Sequence, residues 1–324
     1  MFNHGGGRET DNSYKSEQDG AAVQKTILST ADVARLFHVT ETTVKRWADE
    51  GTLKCQKTPG GHRKFDVRNV VEFVDRTHFE PVGVLQFPGK DELGVRIEVA
   101  ILGRDFASLA GVFVEKALSP DKTDLFLFLS FLYQHHVPLW EIFDSVIRPG
   151  MCEIGERWER GEIGVNHEHR ASHETLDAMA RLQAEILIKP ATGHSAVFAC
   201  VGDESHEIGL RCASYVFESE GWRTQYLGAN TPYEAVIAAV REMRPTAVCL
   251  SITRKDQPQQ QALALEGLAS AAHAVGARCV VGGAVARGGL DALRMVDRVF
   301  ASAREVLDFI EEIARKDAPT RMQN

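Results

Sequence analysis

The chain has 324 residues, 44% of them hydrophobic and 25% charged, with a formal net charge of -8. That length predicts two or three domains, and the acidic balance excludes a surface coated uniformly for nucleic acid while leaving room for a local basic patch. No apolar run approaches a membrane span, the polar start lacks a signal-peptide core, and six cysteines without Cys-x-x-Cys spacing fit a reducing cytoplasm.

Residues 1–25 have the composition of a disordered tail. In the segment 26–78, the stretch from Ile27 to Phe37 predicts a helix capped by Ser29 or Thr30, with Val33, Leu36 and Phe37 facing inward. A turn from His38 to Thr40 leads into a second helix over 41–50, which carries Thr42, Thr43, Lys45 and Arg46 outward and Val44 and Trp47 inward. This is the layout of a helix-turn-helix reader. Lys57-Thr-Pro-Gly-Gly-His62-Arg63-Lys64-Phe65 then sets a Gly-Gly turn among basic residues. A charge run alone is as often a solvated face, but its place after the two helices favours a nucleic-acid surface. So small a reader discriminates weakly, and tight binding calls for several copies on repeated half-sites.

Pro81, Gly83, Pro88 and Gly89 break both periodicities and mark 79–94 as a linker. The segment 95–190 is helical in pattern, with helices expected over 96–118, 123–136, 139–160 and 165–188, a four-helix bundle. Trp158 closes the third of these helices, and Glu168-His169 fall in the first turns of the fourth. Taken alone, Trp158 reads as a core aromatic and His169 as a surface residue. His169 and His173 lie four apart on one face, a spacing compatible with zinc, although no third ligand is evident.

In the segment 191–316, the run from Ser195 to Val201 has the apolar character of a buried parallel strand, and 208–220 has helical spacing. Val201-Gly-Asp-Glu-Ser-His-Glu-Ile-Gly209 therefore places His206 on a βα loop at the carboxyl end of a strand, where open α/β sheets bind ligands. Glu204 can take the other ring nitrogen, fixing the tautomer, and Gly209 permits close approach. An isolated Glu-x-His-x-x-Gly is more often a capping or solvated loop. Two further strand ends add weight: 247–253 ends in Ser251 and Thr253, and 277–283 ends in Gly282-Gly283. Cys200, Cys249 and Cys279 fall inside these strands as small hydrophobes. Residues 317–324 are expected to be a tail.

The C-terminal sequence of His, Ser/Thr and Gly-Gly resembles the cobalamin-binding module, whose signature is Asp-x-His-x-x-Gly, Ser-x-Leu and Gly-Gly. Glu204 stands in place of the Asp and Thr253 in place of the Leu. The resemblance covers about 195–316. It implies that His206 binds cobalt from below, displacing the cofactor's nucleotide base, with Ser205 and Gly209 on the same loop. It also implies that the base tail lies along Ser251, Thr253, Gly282 and Gly283.

The segment 30–74 resembles the MerR-type winged-helix domain. That resemblance implies that Thr42, Thr43, Lys45 and Arg46 approach the major groove, and that His62, Arg63 and Lys64 on the wing approach phosphates or the minor groove. The Trp158-x9-Glu168-His169 pattern resembles the bundle of the CarH and LitR group of MerR-type, B12-dependent photoreceptor repressors, in matching domain order over 28–316. Trp158 and Val165 would cover the upper corrin face, and Glu168 and His169 would hydrogen-bond an adenosyl group that a methyl ligand cannot replace.

The expected fold is a winged helix-turn-helix, a four-helix bundle and a doubly wound, flavodoxin-like α/β cobalamin-binding domain. The expected function is that of a cytoplasmic, adenosylcobalamin-dependent, light-responsive transcriptional repressor and not an enzyme. By the same resemblance it is a DNA-bound tetramer in the dark, dissolved when light breaks the cobalt–carbon bond. One departure stands out: the histidine that follows the tryptophan in the group is here Glu159, which leaves His167, His169, His173 or water to fill the upper position after light. A corrinoid methyl carrier of the methionine-synthase kind is the competing reading, opposed by the winged helix and by Glu168-His169. A third is a MerR-type regulator that senses methylcobalamin, another tetrapyrrole or no cofactor.

Overall fold

A computed structural model describes residues 27–37, 39–77, 91–253, 258–283 and 295–317. They divide into two compact units, one ending before and one beginning after the stretch 78–90.

The first unit runs β1 (Ile27–Ser29), α1 (Thr30–Leu36), α2 (Glu41–Asp49), β2 (Gln56–Lys57), β3 (Arg63–Asp66) and α3 (Val67–Thr77). The first stretch is not wholly helical, as its apolar spacing suggested. Residues 27–29 form an antiparallel strand on β3, where buried Leu28 pairs with buried Phe65. Ser29 then caps α1: its hydroxyl accepts from the Asp32 N–H at 3.2 Å, and the Asp32 carboxylate takes the Ser29 N–H at 2.9 Å. Thr40 caps α2 through the Thr43 N–H at 3.3 Å. Trp47 packs at the edge of the core, its ring 5.7 Å from Phe37 and 5.0 Å from Phe73. The three strands, ordered β1-β3-β2, form the wing.

The second unit opens with α4 (Asp91–Leu102), α5 (Phe106–Leu118), α6 (Lys122–Gln134), α7 (Leu139–Ile142), a π-helical turn (Phe143–Ile147), α8 (Arg148–Glu159) and α9 (Val165–Gln183). Three expectations need correction. The helix expected over 96–118 is two helices: Arg104 takes a left-handed conformation (φ 50°), and Asp105 caps α5 by accepting from the Ser108 N–H at 3.1 Å. The first of these helices begins at Asp91, inside the stretch read as linker. The helix expected over 165–188 stops at Gln183, leaving Leu187 82% exposed even though it continues the apolar spacing.

The chain continues through β4 (Ser195–Val201), α10 (Ile208–Ser219), β5 (Arg223–Thr231), α11 (Tyr233–Met243), β6 (Ala247–Ser251), α12 (Pro258–Ala274), β7 (Arg278–Gly282), β8 (Arg298–Val299) and α13 (Ala303–Asp317). All sheet pairs are parallel, in the order β5-β4-β6-β7-β8. Numbered within this sheet, that is the 2-1-3-4-5 order of a flavodoxin-like, doubly wound fold, as expected. The apolar residues form two clusters. One joins the bundle to α10, α13 and one set of strand side chains; the other packs α11 and α12 against the alternate set. The bundle also supplies polar contacts to α13. Asp144 in the π turn accepts the Ala303 and Arg304 N–H groups at 2.8 and 2.9 Å, and Arg148 donates to the Ala301 carbonyl at 2.8 Å. Asp144 thus adds to the cap that α13 already has from Ser302, whose hydroxyl accepts the Glu305 N–H at 3.2 Å, by taking two further amides of the first turn.

Candidate functional site

Strand order reverses between β4 and β6, and a flavodoxin-like sheet binds its ligand at the carboxyl ends of the strands that flank such a point. His206 follows β4, and Ser251 and Thr253 end β6. Glu204 joins the two sides. Its carboxylate, only 3% exposed, accepts Nδ1–H of His206 at 2.7 Å and the His206 backbone N–H at 2.9 Å, and it also accepts the backbone N–H of Thr253. Because the carboxylate accepts, the ring proton sits on Nδ1 and the lone pair on Nε2. The imidazole itself is 64% exposed. An oriented, outward-facing nitrogen backed by a buried acceptor is a donor suited to a metal such as a corrinoid cobalt, so the residues fit such a group.

The neighbours of the loop support this arrangement. Ser251 is buried, and its hydroxyl meets the Cys200 thiol, which burial pushes up to about 12. Gly283 has φ +95°, and a Cβ there would lie 2.4 Å from the Ile252 carbonyl oxygen, so glycine is required where β7 ends beside β6. Gly209 and Ser205 are exposed, and a Cβ at Gly209 would meet nothing within 4 Å.

Sequence reasoning missed β5 and what it brings. Asn230, in a left-handed conformation at φ 52°, donates its N–H to the Glu204 carbonyl at 2.9 Å. The Tyr226 hydroxyl donates to Glu207 at 3.0 Å, beneath an Arg211 guanidinium 3.5 Å above its ring. Burial raises the Tyr226 pKa far above its usual value, so it stays a neutral donor. This trio fixes the start of α10 next to His206. Glu207 and Arg211 are visible in the sequence as a helical i,i+4 pair, but the polar strand Arg-Thr-Gln-Tyr gave no apolar signal.

The bundle contributes a second group at the end of α8 and the start of α9. Trp158 and Val165 are 45% and 48% exposed, large apolar side chains turned to solvent. Beside them Glu168 accepts Nδ1–H of His169 at 2.6 Å and the Ser172 hydroxyl at 2.9 Å. Glu159, His167 and His173 are exposed on the same elements. Among the described residues, no group of three or more potential metal ligands gathers, at His169 and His173 or elsewhere.

In the first unit, Thr42, Lys45 and Arg46 are exposed on α2 and Thr43 is half-buried at its start. Lys45 and Arg46 stand near Glu41 and Glu50 at 3.4 and 4.0 Å, exposed pairs of little energetic weight. His62 is exposed at the wing tip, and Lys64 lies on β3 opposite Ser29 and Gln56. Arg63 is placed differently: its guanidinium, 17% exposed, is held by Asp49 at 2.6 Å.

Family models for a B12 binding domain match residues 194–310 and, through a second such model, 128–183; a model for a helix-turn-helix domain matches 27–78. The HTH-type transcriptional repressor CarH of Myxococcus xanthus is 30% identical over 231 residues, covering 67% of this chain and 76% of that protein. The repressor CarA of the same organism is 32% identical over 164 residues, covering 51% and 54%. The structure of the Methanosarcina barkeri monomethylamine corrinoid protein aligns with a TM-score of 0.53 at 17% identity, covering 65% of this chain and 99% of that one, which shows a shared fold. No helix among the described residues is long and apolar enough to cross a membrane. A helix-turn-helix unit followed by two B12-binding segments, at this identity over this length, places the chain in the CarH family of HTH-type transcriptional repressors.

Proposed function

We propose that the chain is an adenosylcobalamin-dependent, light-responsive repressor that holds DNA as a dark-state tetramer in the cytoplasm. The observation that carries this reading is the Glu168–His169 pair set beside exposed Trp158 and Val165, a polar and apolar surface with no role in the core. When bound, the cofactor supplies a cobalt–carbon bond that visible light breaks. His206, oriented by Glu204 and flanked by Ser205 and Gly209 on its loop, would hold the cobalt, and Ser251, Thr253, Gly282 and Gly283 would line the nucleotide tail. Trp158 and Val165 would cover the bound cofactor on the bundle side and keep water from it. Glu168 and His169 offer hydrogen bonds that an adenosyl group meets and a methyl group leaves unmet, which is how a polar site rejects a smaller analogue.

The reader residues Thr42, Thr43, Lys45 and Arg46 approach the major groove, while His62, Arg63 and Lys64 on the wing approach phosphates or the minor groove. Affinity for DNA comes from several such readers acting together. A coupling of about 1–3 kcal/mol per protomer between the upper-face contacts and assembly is enough to switch that multivalency.

The test is to load the protein in darkness with adenosylcobalamin or methylcobalamin and to record absorbance, molar mass and DNA retention before and after green illumination. A tetramer that dissociates and releases DNA only in the adenosyl sample is expected. An unchanged mass and unchanged DNA retention after light would sink the proposal.

A further inference from the structure

The wing of the first unit contains an electrostatic conflict that one residue resolves. Lys57 on β2 and Arg63 on β3 are direct register partners across the hairpin, and like charges in that position destabilise a sheet pair. Asp49, the last residue of α2, meets both: its two carboxylate oxygens lie 2.6 and 2.7 Å from Nη2 of Arg63, and one of them lies 3.5 Å from Nζ of Lys57. The helix itself gives no reason for an acid here, because a carboxylate at a helix C-terminus opposes the macrodipole. One carboxylate facing two cations is the charge arrangement that a phosphate between the same two side chains would have.

We infer that Asp49 is an internal stand-in for a DNA phosphate, holding Lys57 and Arg63 in register while withholding their charge from duplexes of arbitrary sequence. It is a specificity-determining and positioning residue, and the inference rests on the reading of this unit as the DNA reader. The carboxylate is 53% exposed, so phosphates can compete for the same cations. Its pKa is lowered, chiefly by the Arg63 hydrogen bond, and that of Arg63 is raised in return, so the clamp stays ionised wherever DNA binding is measured. The pairs of Lys45 and Arg46 within α2, and the Asp49 contact of Lys57, leave those side chains about half exposed or more, whereas Arg63 is 17% exposed, so the charge restraint is concentrated on Arg63 of the wing.

The test uses the full-length chain, equally saturated with adenosylcobalamin and kept in darkness, binding a mixed-sequence DNA duplex over a series of salt concentrations. Asp49→Asn keeps the shape and removes the charge. It is expected to bind about tenfold tighter near physiological salt and to steepen the slope of log K against log[salt] by about one to two per reader, one phosphate per released cation. The double variant D49N with Lys57→Gln is expected to return about half of that added slope. If wild type binds with a clear salt slope and Asp49→Asn leaves the slope unchanged or shallower, the inference is overturned alone. If wild-type binding ignores salt, the reading of the unit falls and the inference with it. A D49N chain that has lost its helical circular dichroism overturns the inference too, since the clamp would then be structural.

Discussion

The carboxylate of Glu204 spans the point where the strand order reverses, with one oxygen on Nδ1 of His206 at 2.7 Å and the other on the backbone N–H of Thr253. A neutral hydrogen-bond partner in place of this carboxylate would still fit the space but would make the ring a poorer donor at Nε2. Glu204→Gln is therefore expected to weaken cobalamin binding about 10- to 100-fold, and His206→Ala to abolish the spectrum of a histidine-ligated corrinoid. Both are read by titrating the cofactor in darkness and following absorbance. Wild-type spectra and affinity in both variants would refute the assignment of His206.

The contacts at the tip of the bundle make a separable prediction. Glu168 and His169 lie outside the apolar core, so Glu168→Ala is expected to leave the melting temperature within a few degrees of wild type. Its preference for adenosylcobalamin over methylcobalamin should shrink about tenfold, the consequence of losing hydrogen bonds made to only one of the two ligands. Parallel calorimetric titrations with the two cofactors measure that ratio. An unchanged ratio would remove Glu168 from the upper-face site.

The two adjacent glycines at the end of β7 should behave differently. At Gly283 a Cβ would meet the Ile252 carbonyl at 2.4 Å with φ at +95°, whereas at Gly282 its nearest neighbour is the Phe300 carbonyl at 3.6 Å. Gly283→Ala is expected to cost about 1–3 kcal/mol of stability, and Gly282→Ala less than about 1 kcal/mol. Chemical denaturation of the cofactor-free proteins distinguishes them. Equal midpoints would contradict the backbone geometry.

His135 ties α6 to α4, since its Nε2 is 3.2 Å from Glu98 and its Nδ1 is 2.8 Å from the Phe131 carbonyl. The Glu98 hydrogen bond raises its pKa above the usual 6.5, against the opposing effect of burial. A raised folded-state value means that the stabilisation is fully present below pH 6.5 and fades as pH rises through that raised value. His135→Gln should therefore cost more stability at pH 6 than at pH 9, by on the order of 1 kcal/mol. Denaturation midpoints of wild type and variant at the two pH values provide the check, and a pH-independent difference would count against the ion pair.

How much of this was legible in the chain can be judged element by element. β4 and β6 announced themselves because fully buried parallel strands are apolar throughout, and β7 through its buried Cys279-Val280-Val281 centre; the residues at their ends were then placed by the fold class alone. Glu204 and His206 are two residues apart, close enough for their contact to be inferred locally. β5 was hidden because its residues are mostly polar and half-buried, and its register shifts against β4 around Phe198 and Ala199 break the alternation. Arg104 was hidden for another reason: a left-handed arginine has no sequence signature, so two helices read as one. The Asp49 clamp depends on α2 meeting the wing, a contact between residues 14 apart that no periodicity encodes.

The cap that Asp144 places on α13 turns two amides into a gauge built into the protein. Ala303 and Arg304 can keep their protons from exchanging with solvent only while the π turn of the bundle stays seated against them. If illumination shifts the bundle, deuterium should enter these two positions faster while the buried strand β6 exchanges as before. If the bundle stays seated, they remain protected. Bundle displacement can thus be followed by mass spectrometry without a dye, a label or an operator sequence.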